Sequence, residues 1–153
     1  MSASQPFVLL HPTSIKGFLI FLDIDGTLCT DGTTDVDEAT LKQISRLKET
    51  NTLYLCSNKK NHPRNQAISD LIGIPYLKTK LRKPDPKILN LIKAPIKTPL
   101  LVIGDLFWTD GRFARKIGAK FIQVKSKTGT KDPWWISWAH RADDLLSLLL
   151  LRP

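Results

Sequence analysis

Two aspartates that follow an apolar run are the side chains of this sequence best suited to chemistry. Asp23 and Asp25 follow the apolar stretch 18–22, and Gly26 then allows the chain to turn sharply. Because two neighbouring carboxylates repel each other unless a cation lies between them, the pair favours a metal ion. The pattern therefore indicates a magnesium site with a carboxylate nucleophile, and an aspartate-rich turn is the alternative interpretation.

Three later segments carry polar side chains that suit phosphate chemistry. They are Ser57 and Asn58 after the apolar run 53–56, Lys83 before Pro84, and Asp105, Thr109 and Asp110 after the apolar run 100–103. In an open parallel sheet, ligands bind beyond the carboxyl ends of the strands, so we expect all these clusters at one edge. Together they supply carboxylates, a hydroxyl, an amide and an ammonium group, which are the parts of a phosphoryl-transfer site.

The elements that must position these side chains alternate between strands and helices. The predicted strands cover residues 18–22, 52–56, 74–77, 100–103 and 121–124. The predicted helices cover residues 36–49, 63–71, a segment that begins at Pro84, and residues 109–117. We expect Asp35 to cap the first helix, and Gly73 and Gly118 to end the second and the last. This alternation predicts an α/β fold, with a parallel sheet covered by helices on both faces.

In their order along the chain, the motifs resemble the four signature motifs of the haloacid dehalogenase (HAD) superfamily. They are Asp23-x-Asp25-Gly26-Thr27, Ser57-Asn58, Lys83-Pro84 and Gly104-Asp105-x-x-x-Thr109-Asp110, and the resemblance spans about residues 16–124. It implies a three-layer, Rossmann-like (HAD-like) fold and a Mg²⁺-dependent phosphomonoester hydrolase that acts through an aspartyl-phosphate intermediate. The gaps between the motifs have no room for an inserted domain, so we expect no cap domain and an open site.

The resemblance also implies a role for each residue of the site. Asp23 would attack phosphorus, and Asp25 would protonate the leaving oxygen and later deprotonate the attacking water. Lys83 would offset the negative charge on the nucleophile and on the phosphoryl group. The substrate would be bound by Thr27, Ser57 and Asn58.

The resemblance implies that Mg²⁺ is the cofactor. Its protein ligands would be Asp23, the backbone carbonyl of Asp25 and Asp105, with Asp110 in support. Asp110 has a second interpretation, as a carboxylate that stabilises the start of a helix.

Several local features narrow the resemblance to the YqeG-type branch of small HAD enzymes without caps. They are the segment 14–18 before the first strand, Arg64 downstream of Ser57-Asn58, the segment 104–110 and the late segment 131–135. That branch includes phosphatidylglycerophosphate phosphatases, so the resemblance implies a bulky lipid phosphoester as the substrate. Where the branch usually carries asparagine, this chain has Gly26, which is the common residue of the wider superfamily.

Length and composition predict one globular domain. The chain has 153 residues, of which 42% are hydrophobic and 24% are charged, which is typical of a soluble protein. We expect a single HAD-like domain over residues 1–153, with a core at about 16–125 and a tail at 126–153. Cys29 and Cys56 are expected to be buried thiols of a reducing compartment. We recognise no signal peptide or membrane-spanning run, which predicts a cytoplasmic protein.

The net charge of +9 bears on the choice of partner. Basic residues cluster near the second and third motifs; they are Lys59, Lys60, Arg64, Lys78, Lys80, Arg82 and Lys83. A basic rim concentrates anionic substrates, so a phosphoester, a nucleic-acid end and peripheral contact with an acidic membrane are all compatible with it. The alternative interpretation of this cluster is a set of solvated surface lysines without a partner. The sequence does not indicate an oligomeric state.

Two other functions are compatible with the same sequence. A phosphatase of nucleic-acid ends or of soluble phosphorylated metabolites would need the same catalytic residues. A HAD-fold RNA- or protein-binding module without catalysis would have no need for the acidic residues. The tail also has two interpretations, because Trp134, Trp135, Trp138 and the leucine-rich run 145–151 suit either a bilayer interface or a closing helix packed on the core.

Overall fold

The structure of the protein is a computed structural model that describes residues 4–128. The predictions for the tail, which concern Trp134, Trp135, Trp138 and the run 145–151, fall outside these residues. Among residues 4–128, no helix combines the length and the apolar character that are needed to cross a membrane.

A four-stranded parallel sheet forms the centre of the fold. The strands are β1 (Leu19–Leu22), β2 (Thr52–Leu55), β3 (Leu100–Gly104) and β4 (Lys120–Gln123), in the spatial order β2-β1-β3-β4. β1 is an inner strand, in which Leu19 pairs with Thr52 on one side and with Leu100 on the other. All residues of β1 are buried, as expected for a strand that is covered on both faces.

Within the described residues, the fold also contains three α-helices and several shorter helical turns. They are α1 (Glu38–Lys48), α2 (His62–Ile72) and α3 (Arg112–Ile117), with 3-10 turns at Phe7–Leu9, Pro12–Ser14 and Pro86–Leu91 and a π-helical turn at Phe107–Gly111. α2 and α3 end at Gly73 and Gly118, which have left-handed backbone conformations with φ of 67° and 69°. Both predicted helix ends are therefore confirmed.

Two hydrophobic clusters pack on opposite faces of the sheet, and alternate residues of β1 divide between them. Ile20 lies in a cluster with Ile44 of α1 and Ile68 of α2. Phe21 lies in the other cluster, where its ring meets Phe113 of α3 edge-on at a centroid distance of 5.2 Å. Because successive side chains of a strand point to opposite faces, helices cover both faces of the sheet. The predicted three-layer α/β, Rossmann-like fold is confirmed.

The start of α1 differs from the prediction. The helix begins at Glu38, and its N-cap is Asp37, whose side chain accepts a hydrogen bond from the amide of Thr40 at 2.7 Å. The prediction of Asp35 as the cap is wrong, because only the residue directly before the first turn can reach the unpaired amides there.

The predicted strand at 74–77 is an isolated bridge between Leu55 and Tyr76. The amide of Leu55 donates to the carbonyl of Pro75 at 2.8 Å, and the amide of Leu77 donates to the carbonyl of Leu55 at 2.9 Å. Pro75 has no amide hydrogen, so the pairing cannot extend into a regular ladder. The strand prediction is therefore wrong for this segment.

The helix predicted to begin at Pro84 is a short 3-10 turn, Pro86–Leu91. Asp85 has an extended backbone and caps this turn, because its side chain accepts a hydrogen bond from the amide of Lys87 at 2.9 Å. An extended residue at this position prevents a helix from starting at Pro84, and that prediction is wrong.

The links between the motifs are short. Within the described residues, the link from β1 to α1 covers 23–37, and the link from β2 to β3 covers 56–99 and contains α2 and one 3-10 turn. Neither of these links contains an inserted domain, which is compatible with the expected absence of a cap.

Candidate active site

Polar side chains follow the carboxyl ends of three neighbouring strands. Asp23 follows β1, Ser57 follows β2 and Asp105 follows β3. Because the strands are parallel, their carboxyl ends meet at the same edge of the sheet. This edge is the candidate active site.

Three buried carboxylates come together at this edge. One oxygen atom from each of Asp23, Asp105 and Asp110 lies within 4.8 Å of the others. The three residues are 8%, 1% and 1% exposed, so little water screens their charges from one another. Carboxylate oxygens gathered in this way are suitable ligands for a divalent cation such as Mg²⁺.

Lys83 is the cation that faces these carboxylates. Its Nζ atom donates to Oδ1 of Asp23 at 2.7 Å and also donates to Oδ1 of Asp110. Burial acts to lower the pKa of Lys83, but the charges of Asp110 and Asp23 more than offset it and hold the pKa well above its ordinary value. The ammonium group is therefore charged at neutral pH.

Asp23 has an unusually high pKa for a carboxyl group. Burial, together with the charge of Asp110, raises the pKa of Asp23 to about 7, although Lys83 acts in the opposite direction. Burial also raises the pKa of Asp110. When all three carboxylates are ionised, they and the one ammonium group leave an excess of two negative charges in a buried site. A divalent cation carries the charge that balances this excess, so the donor set fits Mg²⁺.

Two glycines make room for the carboxylates. A β-carbon at Gly26 would lie 2.2 Å from Oδ2 of Asp105, and a β-carbon at Gly104 would lie 2.2 Å from Cγ of Asp110. Real β-carbons essentially never approach another atom within 3.0 Å. The two carboxylates therefore occupy space that only glycine leaves open at these positions.

The side chain of Asp25 lies in a separate polar network with Arg64 of α2. Arg64 donates from Nη2 to Oδ1 of Asp25 at 2.7 Å and from Nη1 to Oδ2 at 2.9 Å, which is a bidentate ion pair. The hydroxyl of Ser57 and the amide of Gly32 also donate to Asp25, at 3.2 and 2.9 Å. Burial acts to raise the pKa of Asp25, but the hydrogen bonds from Arg64 and Gly32 outweigh it and lower the pKa. The expected metal contact through the backbone carbonyl of Asp25 stays a prediction.

The sequence patterns did not reveal that Arg64 contacts Asp25 in the site. It is 8% exposed, and its Nε and Nη2 atoms also donate to the carbonyl of Thr33, at 2.8 and 2.7 Å. A cation in the first turn of a helix is unfavourable, because it faces the positive end of the helix dipole. An arginine at such a position indicates a carboxylate partner, and this indication could have identified Arg64 as a residue of the site.

Like Ser57, the other two predicted substrate-binding residues contact the catalytic residues directly. Asn58 accepts a hydrogen bond from the amide of Lys83 at 2.7 Å and donates to the carbonyl of Lys83 at 2.9 Å. The hydroxyl of Thr27 donates to Oδ2 of Asp23 at 3.4 Å. These bonds hold the catalytic groups in place, and direct contact of Asn58 and Thr27 with a substrate stays a prediction.

The chain after β4 returns to the site and adds a residue that the sequence patterns also did not reveal. The hydroxyl of Ser126 donates to Oδ2 of Asp105 at 2.8 Å. The amide of Lys127 donates to the carbonyl of Gly26 at 2.7 Å. A hydroxyl shortly beyond the end of β4 is the signal that could have identified Ser126, since β4 ends at the same edge as its neighbours.

Both cysteines, Cys29 and Cys56, are free and buried, as predicted. Burial raises the pKa of each thiol to about 11. A thiol with such a pKa stays protonated at neutral pH, so neither cysteine is suited to act as a nucleophile.

Comparison with known proteins agrees with this geometry. A family model described as mitochondrial PGP phosphatase, in which PGP stands for phosphatidylglycerophosphate, matches residues 5–129. The match covers most of the chain and includes all four motifs. No curated protein and no solved structure matches the chain.

Proposed function

The chain belongs to the mitochondrial PGP phosphatase family, and we propose that it removes the terminal phosphate from phosphatidylglycerophosphate with the help of Mg²⁺. The family consists of HAD-like phosphatases, so the chain is a phosphoric monoester hydrolase, and the predicted superfamily and enzyme class are confirmed. The alternative of a HAD-fold binding module without catalysis has no support. Mg²⁺ and the aspartyl-phosphate intermediate are parts of the proposal.

The buried cluster of Asp23, Asp105 and Asp110 beside Lys83 is the observation that carries the proposal. Buried carboxylates so close together are costly unless a further positive charge balances them. In the proposal, Mg²⁺ would be held by Asp23, Asp105 and the backbone carbonyl of Asp25, and Asp110 would support these ligands. When bound, the ion supplies the positive charge that allows a carboxylate and a phosphate to approach each other.

Asp23 is the nucleophile of the proposed reaction. One carboxylate oxygen forms a bond to phosphorus while the bond between phosphorus and the glycerol oxygen breaks, which gives an aspartyl-phosphate and phosphatidylglycerol. Lys83 lies 2.7 Å from Oδ1 of Asp23, where it orients the carboxylate and stabilises charge on the transferred group. The hydroxyl of Thr27, 3.4 Å from Oδ2, supports the same carboxylate.

Asp25 is the acid and base of the proposed reaction. In its protonated form it gives a proton to the leaving glycerol oxygen. As a carboxylate it then takes a proton from the water that attacks phosphorus, while the bond between Asp23 and phosphorus breaks and inorganic phosphate leaves. This step restores the carboxylate of Asp23 and the protonated form of Asp25. Arg64 favours the ionised carboxylate, which is the form that the second step requires. Ser57, whose hydroxyl lies 3.2 Å from Oδ2 of Asp25, is assigned a hydrogen bond to the phosphoryl group.

Release of phosphate from a short-chain phosphatidylglycerophosphate tests the proposed function. We expect release that depends on Mg²⁺, stops when EDTA is added and returns with excess Mg²⁺. Asp23→Asn is expected to lose at least about a thousandfold in kcat. Asp35→Asn, which changes an exposed aspartate before α1, is the control and is expected to retain activity. Faster hydrolysis of phosphorylated nucleic-acid ends or of soluble sugar phosphates than of the lipid would contradict the proposed substrate.

The family description names the mitochondrion, whereas the sequence patterns predicted the cytoplasm. As part of the proposal, we place the protein in mitochondria, where it would meet its lipid substrate at a membrane surface. The family match supports a phosphoester substrate, and it does not support contact with nucleic acid or with an acidic membrane. Fractionation of cells that express the tagged protein tests the location, and recovery from the cytosol alone would contradict it.

A further inference from the structure

Two cations beside the catalytic loops have no role in the proposed chemistry. Among the described residues, neither Lys60 nor Arg82 has a carboxylate oxygen within 4.0 Å. Other cations near the site form ion pairs; they are Lys59 with Asp31, Arg64 with Asp25, Lys83 with Asp23 and Asp110, and Lys127 with Asp37. In the described part of the chain, Lys60 and Arg82 are thus positive charges without a carboxylate partner.

The two loops that carry these cations meet at the catalytic lysine. Nζ of Lys60 donates to the carbonyl of Ser57 at 3.0 Å, so its side chain folds back onto the loop after β2. Asn58, in the same loop, bonds both the amide and the carbonyl of Lys83, at 2.7 and 2.9 Å, and Arg82 directly precedes Lys83. The two loops are thus joined, and each cation lies within two residues of the joint.

The pKa of Lys60 agrees with a position of this side chain near Arg82 and Lys83. Burial lowers the pKa of Lys60, and the positive charges of Arg82 and Lys83 lower it further. Like charges shift a pKa noticeably only when they are near each other, so the two unpaired cations act on the same region. An anion bound beside both of them would relieve this repulsion and would gain from both charges.

We propose that Lys60 and Arg82 form a second anion subsite, which binds the phosphodiester of the lipid substrate while its terminal phosphomonoester lies at Asp23. The inference rests on the proposed function and deepens it, because a substrate with two phosphates presents an anion to each site. In phosphatidylglycerophosphate a single glycerol separates the diester from the monoester, so the second phosphate lies near the first. Guanidinium N–H groups bind phosphate oxygens in a bidentate manner and lysine adds a compact charge, so the pair suits a phosphodiester.

Discrimination between two substrates tests the subsite. We compare kcat/KM for a short-chain phosphatidylglycerophosphate, which has both phosphates, with kcat/KM for p-nitrophenyl phosphate, which has one. Lys60→Gln and Arg82→Gln are each expected to lower the ratio of the two values about tenfold, mainly through a higher KM for the lipid. Lys80→Gln, which removes an exposed charge from the same segment as Arg82, is the matched control and is expected to leave the ratio unchanged.

The possible outcomes distinguish the subsite from the proposed function. If the wild type hydrolyses the lipid and the ratio is unchanged in Lys60→Gln and Arg82→Gln, the subsite is overturned and the proposed function stands. An equal loss on both substrates also overturns the subsite, because the effect would not depend on the second phosphate. A wild type without activity on the lipid overturns the proposed function, and the subsite with it.

Discussion

Gly26 approaches Asp105 so closely that no side chain fits between them. A β-carbon at Gly26 would lie 2.2 Å from Oδ2 of Asp105, and the backbone of Gly26 has a φ of 77°, in the left-handed region. Gly26 therefore leaves open the space that the carboxylate of Asp105 occupies.

Gly26→Ala is expected to displace Asp105 and to weaken Mg²⁺ binding about tenfold or more. Gly17→Ala is the matched control, because Gly17 has a similar φ of 74° and an added β-carbon there would have no atom within 4 Å. Both substitutions are expected to lower the free energy of unfolding by about 1 kcal/mol through backbone strain. Isothermal titration calorimetry is expected to show weaker Mg²⁺ binding for Gly26→Ala alone, and equal affinities in the two variants would count against a displaced Asp105.

Ser126→Ala is expected to weaken Mg²⁺ binding about tenfold, because Asp105 loses the hydroxyl donor 2.8 Å from its Oδ2. Ser126→Thr keeps a hydroxyl and is expected to bind Mg²⁺ nearly as the wild type does. Ser14→Ala is the control, since the hydroxyl of Ser14 is exposed and bonds to the carbonyl of His11. The rise in melting temperature on addition of Mg²⁺ measures binding independently of activity, and a wild-type rise in Ser126→Ala would show that Ser126 does not position Asp105.

Arg64→Gln is expected to lower kcat by roughly a hundredfold and to change KM less, because Asp25 loses the bidentate partner that orients it for proton transfer. Arg64→Lys is expected to restore little of this loss, since an ammonium group cannot make two parallel hydrogen bonds to one carboxylate. The free energy of unfolding is also expected to fall by about 3 kcal/mol, because a buried carboxylate loses its ion-pair partner.

Arg46→Gln, which changes an exposed arginine of α1, is the control for Arg64→Gln. Steady-state rates are measured well below the melting temperature of each variant, so that unfolding does not affect kcat. A wild-type kcat in folded Arg64→Gln would show that Arg64 does not position the acid and base.

The ion pair between Asp37 and Lys127 gives a pH dependence of stability. Burial acts to raise the pKa of Asp37, but hydrogen bonds from Lys127 and Thr40 outweigh it and lower the pKa from 3.8 to about 2. A carboxyl group whose pKa is lower in the folded state stabilises the fold at higher pH, and this contribution is lost as the pH falls from about 4 towards about 2. Asp37→Asn keeps the helix-capping acceptor and loses the charge, so it measures what the charge of Asp37 adds beside Lys127 and at the start of α1.

Urea unfolding of the wild type and of Asp37→Asn measures this contribution. The wild type is expected to be more stable at about pH 6, and the difference is expected to shrink as the pH falls to about 3. Because the side chain of Asp37 is 59% exposed, the difference at about pH 6 is expected to stay below about 1 kcal/mol. A difference of the same size at both pH values would argue against the ion pair.

The strands and the catalytic edge could be predicted because they depend on local patterns. The apolar runs before Asp23, Ser57 and Asp105 identify the strands β1, β2 and β3. Because these strands are parallel neighbours, their carboxyl ends lie at the same edge of the sheet. The helix ends at Gly73 and Gly118 could also be predicted from the sequence. Glycine is the residue that most readily adopts the left-handed conformation of a helix end.

Contacts between distant parts of the chain could not be predicted in the same way. Arg64 meets Asp25 across 39 residues, and Ser126 meets Asp105 across 21 residues, and no local pattern states which side chains meet at such separations. The prediction of the N-cap of α1 was wrong for a more local reason. Aspartates at 35 and 37 both have a suitable side chain, and only the backbone of the folded chain selects Asp37.

The formation of an adduct between Asp23 and beryllofluoride, an analogue of the phosphoryl group on aspartate, tests the central claim most directly. Fluorine NMR of the protein detects bound beryllofluoride without the need for a substrate. We expect bound resonances for the wild type that require Mg²⁺ and disappear with EDTA, and no bound resonances for Asp23→Asn. Bound resonances that persist in Asp23→Asn, or a wild type that forms no adduct with Mg²⁺ present, would contradict a metal-assisted nucleophile at Asp23.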